Sequence, residues 1–162
     1  MNRLNTLGIG PKIAIVLFPW LTASIGLRNT MNNLFKYTSG NKDILFIAGI
    51  VLMIFGLIFY FSTVRILLKG LKETRLMTKG PYHLCQNPLY VSLLLIIIPA
   101  LSLMLNSWLV LTSSIVGYIF FKLFIKSEYK ELEKFFGEDY LKYKNETPEF
   151  FPLPVKKRNK RN

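Results

Sequence analysis

The chain has 162 residues, 51% of them apolar, and a formal charge of +12, with a mean hydropathy of +0.34. That combination excludes an ordinary soluble domain, because so short a chain cannot enclose a core large enough for half of its residues. It fits a single domain whose apolar residues face lipid and whose basic residues face anionic headgroups. The positions of the Lys and Arg residues, at the ends of apolar runs or in the C-terminal tail, argue against a nucleic-acid partner. One cysteine and one histidine leave no internal disulfide and no structural zinc site, so no metal is expected.

Ile13 to Leu27 is an apolar run preceded by Arg3 and Lys12. Thr22-Ala23-Ser24 near its end gives it some likeness to a signal peptide. Pro19 and Trp20 interrupt the run and further spans follow, so it reads as a retained first span near 13–28. Asp43 to Val64 is the cleaner span: only its first residue is charged, and as a helix it reaches about 33 Å, enough to cross a bilayer. Residues 1–70 thus form an N-terminal membrane anchor.

The stretch Thr74 to Tyr90, T-R-L-M-T-K-G-P-Y-H-L-C-Q-N-P-L-Y, lies within a polar interruption over 71–90. It holds Gly-Pro and Asn-Pro breaks, the rings Tyr82, His83 and Tyr90, and the lone Cys85. His83 has no acidic partner in view and reads as an interfacial residue. Cys85 has no nearby base and reads as a small buried side chain. Asn87-Pro88 alone would be a turn with proline at the first helical position.

Val91 to Leu105 and Trp108 to Ile125 are joined only by Asn106-Ser107, which predicts an antiparallel membrane hairpin (spans 91–105 and 108–125) kinked at Pro99. The N-terminus, the Arg65 to Lys79 loop and the segment from Lys122 onward carry eighteen basic residues, against Arg28, Lys36 and Lys42 on the other side. This asymmetry puts both termini and the central loop in the cytoplasm.

The last apolar helix is expected to continue to Phe136 and end at Gly137. Phe121, Phe124, Ile125, Tyr129, Leu132, Phe135 and Phe136 fall within an arc of about 140°, with Lys122, Lys126, Lys130, Glu133 and Lys134 outside it. Glu128 lies inside the apolar arc. A carboxylate there needs a cation or a hydrogen-bond donor, or its pKa must rise. A structural ion pair with Arg75 is the plain alternative to a ligand.

A short second helix is expected after Gly137, with Glu138 and Asp139 at its positive end and Tyr140, Leu141 and Tyr143 for packing, so that tail helices cover 126–145. Pro148, Pro152 and Pro154 end regular structure, and 155–162 reads as a disordered basic tail. The fold class is therefore an all-α integral membrane protein of four transmembrane helices. Its cytosolic cofactor pocket is formed by the central loop and the C-terminal helical tail, with region 71–154 as the functional part.

The order T-K-G-P-Y, N-P-L-Y, an apolar hairpin, Glu128 with L-E-K-F-F-G-E-D-Y-L-K-Y, and a closing P-E-F-F-P resembles the isoprenylcysteine carboxyl methyltransferase family and its phospholipid methyltransferase relatives. The likeness spans Thr74 to Pro152. It implies a membrane-embedded enzyme that transfers a methyl group from S-adenosyl-L-methionine to a lipid or lipid-modified carboxylate or amine. It also implies cofactor contacts at Thr74, Arg75, Leu76, Met77, Tyr82, Asn87, Pro88, Leu89, Tyr90 and Glu128, with Glu128, Asn87 and Tyr90 as the catalytic set. The chain departs from the family pattern at Gln86, Phe124, Tyr129 and Thr74, where relatives carry Arg, Arg, a second Glu and His. Lys126 is the nearest cation expected to compensate for the arginine missing at Phe124. The competing readings are an NADPH-dependent membrane reductase of the sterol reductase type and a non-catalytic four-span membrane relative.

Overall fold

The computed structural model describes residues 8–31, 33–38 and 40–150, and every regular element among them is helical. The elements are α1 (Gly10–Thr30), α2 (Lys42–Glu73), α3 (Pro81–Leu84), α4 (Pro88–Val91), a π-helical stretch (Ser92–Ile97), α5 (Ile98–Met104) and α6 (Trp108–Glu146). Arg3, Pro152, Pro154 and the expected basic tail lie outside the described residues.

Among the described residues three helices, α1, α2 and α6, are long and apolar enough to cross a membrane. The fourth expected span is the shorter apolar helix Pro88–Met104, which at about 1.5 Å per residue falls somewhat short of an about 30 Å hydrocarbon core. The helices form a row: α2 packs on the Pro88–Met104 helix, that helix on α6, and α6 on α1. Outward faces are apolar, as at Ile47, Val51, Ile54, Phe55, Ile58 and Phe61 of α2, all more than half exposed.

Local chemistry explains each departure from the expected spans. Pro19 does not interrupt α1, which runs through it and is tied to α6 where the Trp20 indole N–H donates to Thr112 Oγ1 at 3.1 Å. α2 continues well past Val64 to Glu73, so the loop begins later than expected and the last turns of α2 reach the pocket. Pro99 has no N–H to give Leu95, and the helix answers with a widened turn: the Ile98 N–H donates to the Leu93 carbonyl, five residues back.

The hairpin turn is pinned by its neighbours. Asn106, in the left-handed region at φ 47°, accepts from the Tyr37 and Thr38 amides and donates to the Thr38 carbonyl. Arg28 Nε donates to the Leu105 carbonyl at 3.1 Å.

Along α2 the buried residues are Gly49, Gly56, Thr63 and Gly70, one every seven positions. Small residues at this spacing let two helix backbones approach closely in a membrane. A Cβ on Gly56 would lie 2.9 Å from Ile96 Cγ2 and 3.0 Å from Ile97 Cγ1. Gly56→Leu is therefore expected to destabilise the bundle by about 1–3 kcal/mol through overpacking, read as a lower unfolding temperature in detergent.

Gly137 sits at φ 54°, ψ −127°, a conformation that L side chains rarely adopt, and breaks α6 into a long arm and a tail run ending at Glu146. This is the break and second helix expected from sequence. The buried core joins α1 to the far arm: Ile9, Ile13, Leu17, Tyr90, Leu94, Phe121, Ile125 and Phe150 form one cluster.

Candidate functional site

One end of the bundle gathers the start of α1, the end of α2, the start of the Pro88 helix and the long arm of α6. The connecting loop is shaped there by backbone chemistry. Thr74 ends α2 in the left-handed region (φ 52°), with its own N–H and that of Arg75 returning to the Gly70 carbonyl. Gly80, also at positive φ, opens α3, and Asn87-Pro88 opens the next helix with proline at its first position.

The tail run then clasps this loop. The Gln86 amide donates to the Pro148 carbonyl at 2.8 Å, and Gln86 Nε2 donates to the carbonyls of Thr147 (2.5 Å) and Lys144 (3.1 Å). Asn87 Nδ2 donates to Tyr129 Oη at 2.5 Å and to the Glu149 carbonyl at 2.9 Å. Tyr129 in turn donates to Glu149 Oε1, and Lys122 is paired with the same carboxylate. Tyr143 donates to the Tyr82 carbonyl at 2.6 Å. Asn87→Ala leaves two of these groups without their partner. It is expected to cost about 1–3 kcal/mol and to make the tail the first site of limited proteolysis.

Between loop, tail, α2 and α6 lies a cavity of about 290 Å³. Of the residues expected at the cofactor, Arg75, Leu76, Met77, Tyr82, Asn87, Pro88, Leu89, Tyr90 and Glu128 all line it, whereas Thr74 only caps α2. Sequence reasoning missed Gly8 and Gly10 before and within α1, Leu67, Gly70 and Leu71 on α2, Gln86 in the loop and Glu131 on α6. Tyr140 and Tyr143, expected only to pack the tail helix, also line the cavity. Tyr129, Leu132 and Phe136 do so as well, and the apolar arc shared with Glu128 had already marked their face. Phe135, placed in the same arc, is instead more than a third exposed.

Glu128 holds no ion pair with Arg75; Oε2 accepts the Ile9 amide N–H at 2.9 Å. Ile9 caps the start of α1, so the carboxylate sits at a positive helix end. Burial pushes the Glu128 pKa up, the Ile9 N–H opposes this, and the nearby Glu131 adds to the rise. Burial, and then Glu128, also push up the Tyr82 phenol. Tyr90 is buried, its ring centroid 5.2 Å from that of Phe121.

The bland readings of the loop residues hold. His83 is exposed, and Cys85 is buried with its thiol pushed by desolvation up to about 11. At Phe124 the cation over the ring is Lys12 of α1, 6.0 Å from the centroid, while Lys126 is exposed. Among the described residues no cluster of His, Cys, Asp and Glu could hold a metal ion.

The family model described as phospholipid methyltransferase matches residues 44–139, more than half of the chain. The matched range covers α2, the loop, the hairpin and Glu128, which is the ground on which the cavity is built. No curated protein sequence matches the chain. On the family match, the chain belongs to the phospholipid methyltransferase family, a family of membrane methyltransferases.

Proposed function

We propose that the protein transfers a methyl group from S-adenosyl-L-methionine to a lipid or lipid-modified carboxylate or amine. The observation that carries this reading is Glu128, an acidic side chain held inside a cavity lined largely by apolar residues and tyrosines, which Arg75 and Glu131 also line. A cofactor with an ammonium, a sulfonium and a carboxylate matches that donor set: Glu128 answers the cationic groups and Arg75 the carboxylate. Leu67, Leu71, Leu132 and Phe136 exclude water from the rest of the cavity.

When bound, the cofactor supplies an electrophilic methyl carbon on a positively charged sulfur. Transfer to an acceptor oxygen or nitrogen would break the carbon–sulfur bond and leave a neutral thioether, with Glu128 and Arg75 holding the charged end of the cofactor. The chain's own work is positioning and desolvation, since in-line displacement needs little covalent help and charge is neutralised when an anionic nucleophile attacks. Asn87 holds the Pro88 helix, and with it Tyr90, in register with Glu128 through the Tyr129 hydroxyl.

In this reading the Pro88–Met104 helix crosses the membrane with the other three, and both termini and the cavity face the cytoplasm, as the charge asymmetry favours. Calorimetry on the detergent-purified protein is expected to show binding of S-adenosylhomocysteine and none of NADPH. Label from methyl-labelled cofactor is expected in the extracted lipid fraction. Binding of NADPH alone would replace the proposal with a reductase, and binding of neither ligand would leave a non-catalytic membrane protein.

A further inference from the structure

Among the described residues, five buried side-chain polar atoms have no hydrogen-bond partner: Gln86 Oε1, Tyr140 Oη and the hydroxyls of Ser107, Ser113 and Ser114. The serines stand at the start of α6 or on it, where a hydroxyl can rotate toward a helix carbonyl. Gln86 and Tyr140 have no such recourse, and both line the cavity. A buried polar atom left unpaired is costly, so two on residues that line one cavity point to a ligand that completes them.

Their chemistry is set by their surroundings. Both N–H groups of Gln86 are spent on the Lys144 and Thr147 carbonyls, which fixes the amide and leaves Oε1 as an acceptor only. Tyr140 is 1% exposed, and its ring lies 6.4 Å from that of Tyr129, with Lys144 Nζ 5.9 Å from its centroid. Its hydroxyl is held at the wall with a proton to donate. Gln86, in the loop, donates to the Lys144 carbonyl, one helical turn along the tail run from Tyr140, so the loop and the tail that carry the two groups are tied together.

We propose that Gln86 and Tyr140 form a second polar subsite of the cavity that recognises the edge of an adenine base, an inference that rests on the cofactor reading above. The exocyclic amine donates to Gln86 Oε1 and an adjacent ring nitrogen accepts from the Tyr140 hydroxyl. The flat base lies against the leucine and phenylalanine wall. Glu128 and Arg75 already account for the charged amino-acid end, so the two subsites divide the ligand between them.

The test is calorimetry on the full chain in detergent with three probes. These are S-adenosylhomocysteine, 5′-methylthioadenosine, which keeps the base and lacks the amino-acid end, and S-inosylhomocysteine, which presents a carbonyl where adenine has its amine. Tyr140→Phe is expected to weaken the first two by the same factor, about fivefold to tenfold, with an unchanged unfolding temperature because the ring is kept. Wild-type protein is expected to bind the inosine form about tenfold or more less tightly than the adenine form. Glu128→Gln is expected to weaken S-adenosylhomocysteine and leave 5′-methylthioadenosine unaffected.

Equal affinity for the adenine and inosine forms overturns the inference, as does wild-type affinity in Tyr140→Phe. So does a lowered unfolding temperature with equal loss of all three probes, which would make Tyr140 structural. If Glu128→Gln weakens S-adenosylhomocysteine while Tyr140→Phe does not, this inference alone fails. If wild-type protein binds none of the probes, the cofactor reading fails with it.

Discussion

Glu128→Gln is expected to weaken S-adenosylhomocysteine binding by about 10- to 150-fold, the loss of one charge-assisted contact worth about 1.5–3 kcal/mol. The amide can still accept the Ile9 N–H, so local geometry is kept and only the charge is removed. The pH dependence gives an independent check. Burial raises the carboxyl above its ordinary value, and only the ionised form attracts the ligand's cationic groups. Wild-type affinity therefore falls as pH is lowered through the raised pKa, beginning above the usual carboxylate range, while the variant's affinity stays flat there.

Stability moves the other way. A group whose pKa is higher in the folded than in the unfolded state stabilises the fold below its unfolded pKa, and that contribution is lost as pH rises through the folded value. Where Glu128 is ionised it thus strains the ligand-free protein. Glu128→Gln is expected to raise its unfolding temperature there, with the gap closing in acid. Unchanged ligand affinity in the variant at neutral pH would remove Glu128 from the binding site.

Gly8→Val is expected to be equally severe for a different reason. Gly8 lies in the left-handed region at φ 50°, and a Cβ there would come within 2.6 Å of Glu128 Oε2. A β-branched residue at this position pays about 1–2 kcal/mol of backbone strain and must also push the carboxylate or the start of α1 aside. The expected result is a lower unfolding temperature together with a loss of S-adenosylhomocysteine affinity of about tenfold or more, since a misplaced charge is as harmful as a missing one. Gly26, on the helix that Gly8 precedes and with open space around it, supplies the comparison: Gly26→Ala is expected to leave affinity and unfolding temperature near wild type. If Gly8→Val binds as tightly as wild type, the start of α1 has no part in the site.

The two variants probe different kinds of information. Glu128 announces itself because it breaks the apolar arc of its helix, and helical period is a local property of the chain. Arg75 to Met77, Tyr82 and Asn87 to Tyr90 stand in a proline- and glycine-broken stretch between apolar runs, so they too were legible as a loop that reaches the bundle end. The break at Gly137 and the short hairpin turn at Asn106-Ser107 follow from local backbone chemistry in the same way. The seven-residue spacing of Gly49, Gly56, Thr63 and Gly70 became visible only when the packed structure showed these to be the buried residues of α2.

What the sequence by itself determined is a set of apolar helices, the uneven distribution of its charges along the chain, and one acidic residue on a greasy face with a polar loop to meet it. Only the tertiary structure decided what meets that residue: the Ile9 amide, 119 positions away in the chain, where a cation of the loop had been the alternative. It also decided that Tyr140 and Tyr143 turn inward and that Gln86 and Asn87 are clasped by residues 144–149. The reason is physical. Period and turn chemistry are written within a few residues, whereas a hydrogen bond between distant segments leaves no trace in either until helix packing has brought them together.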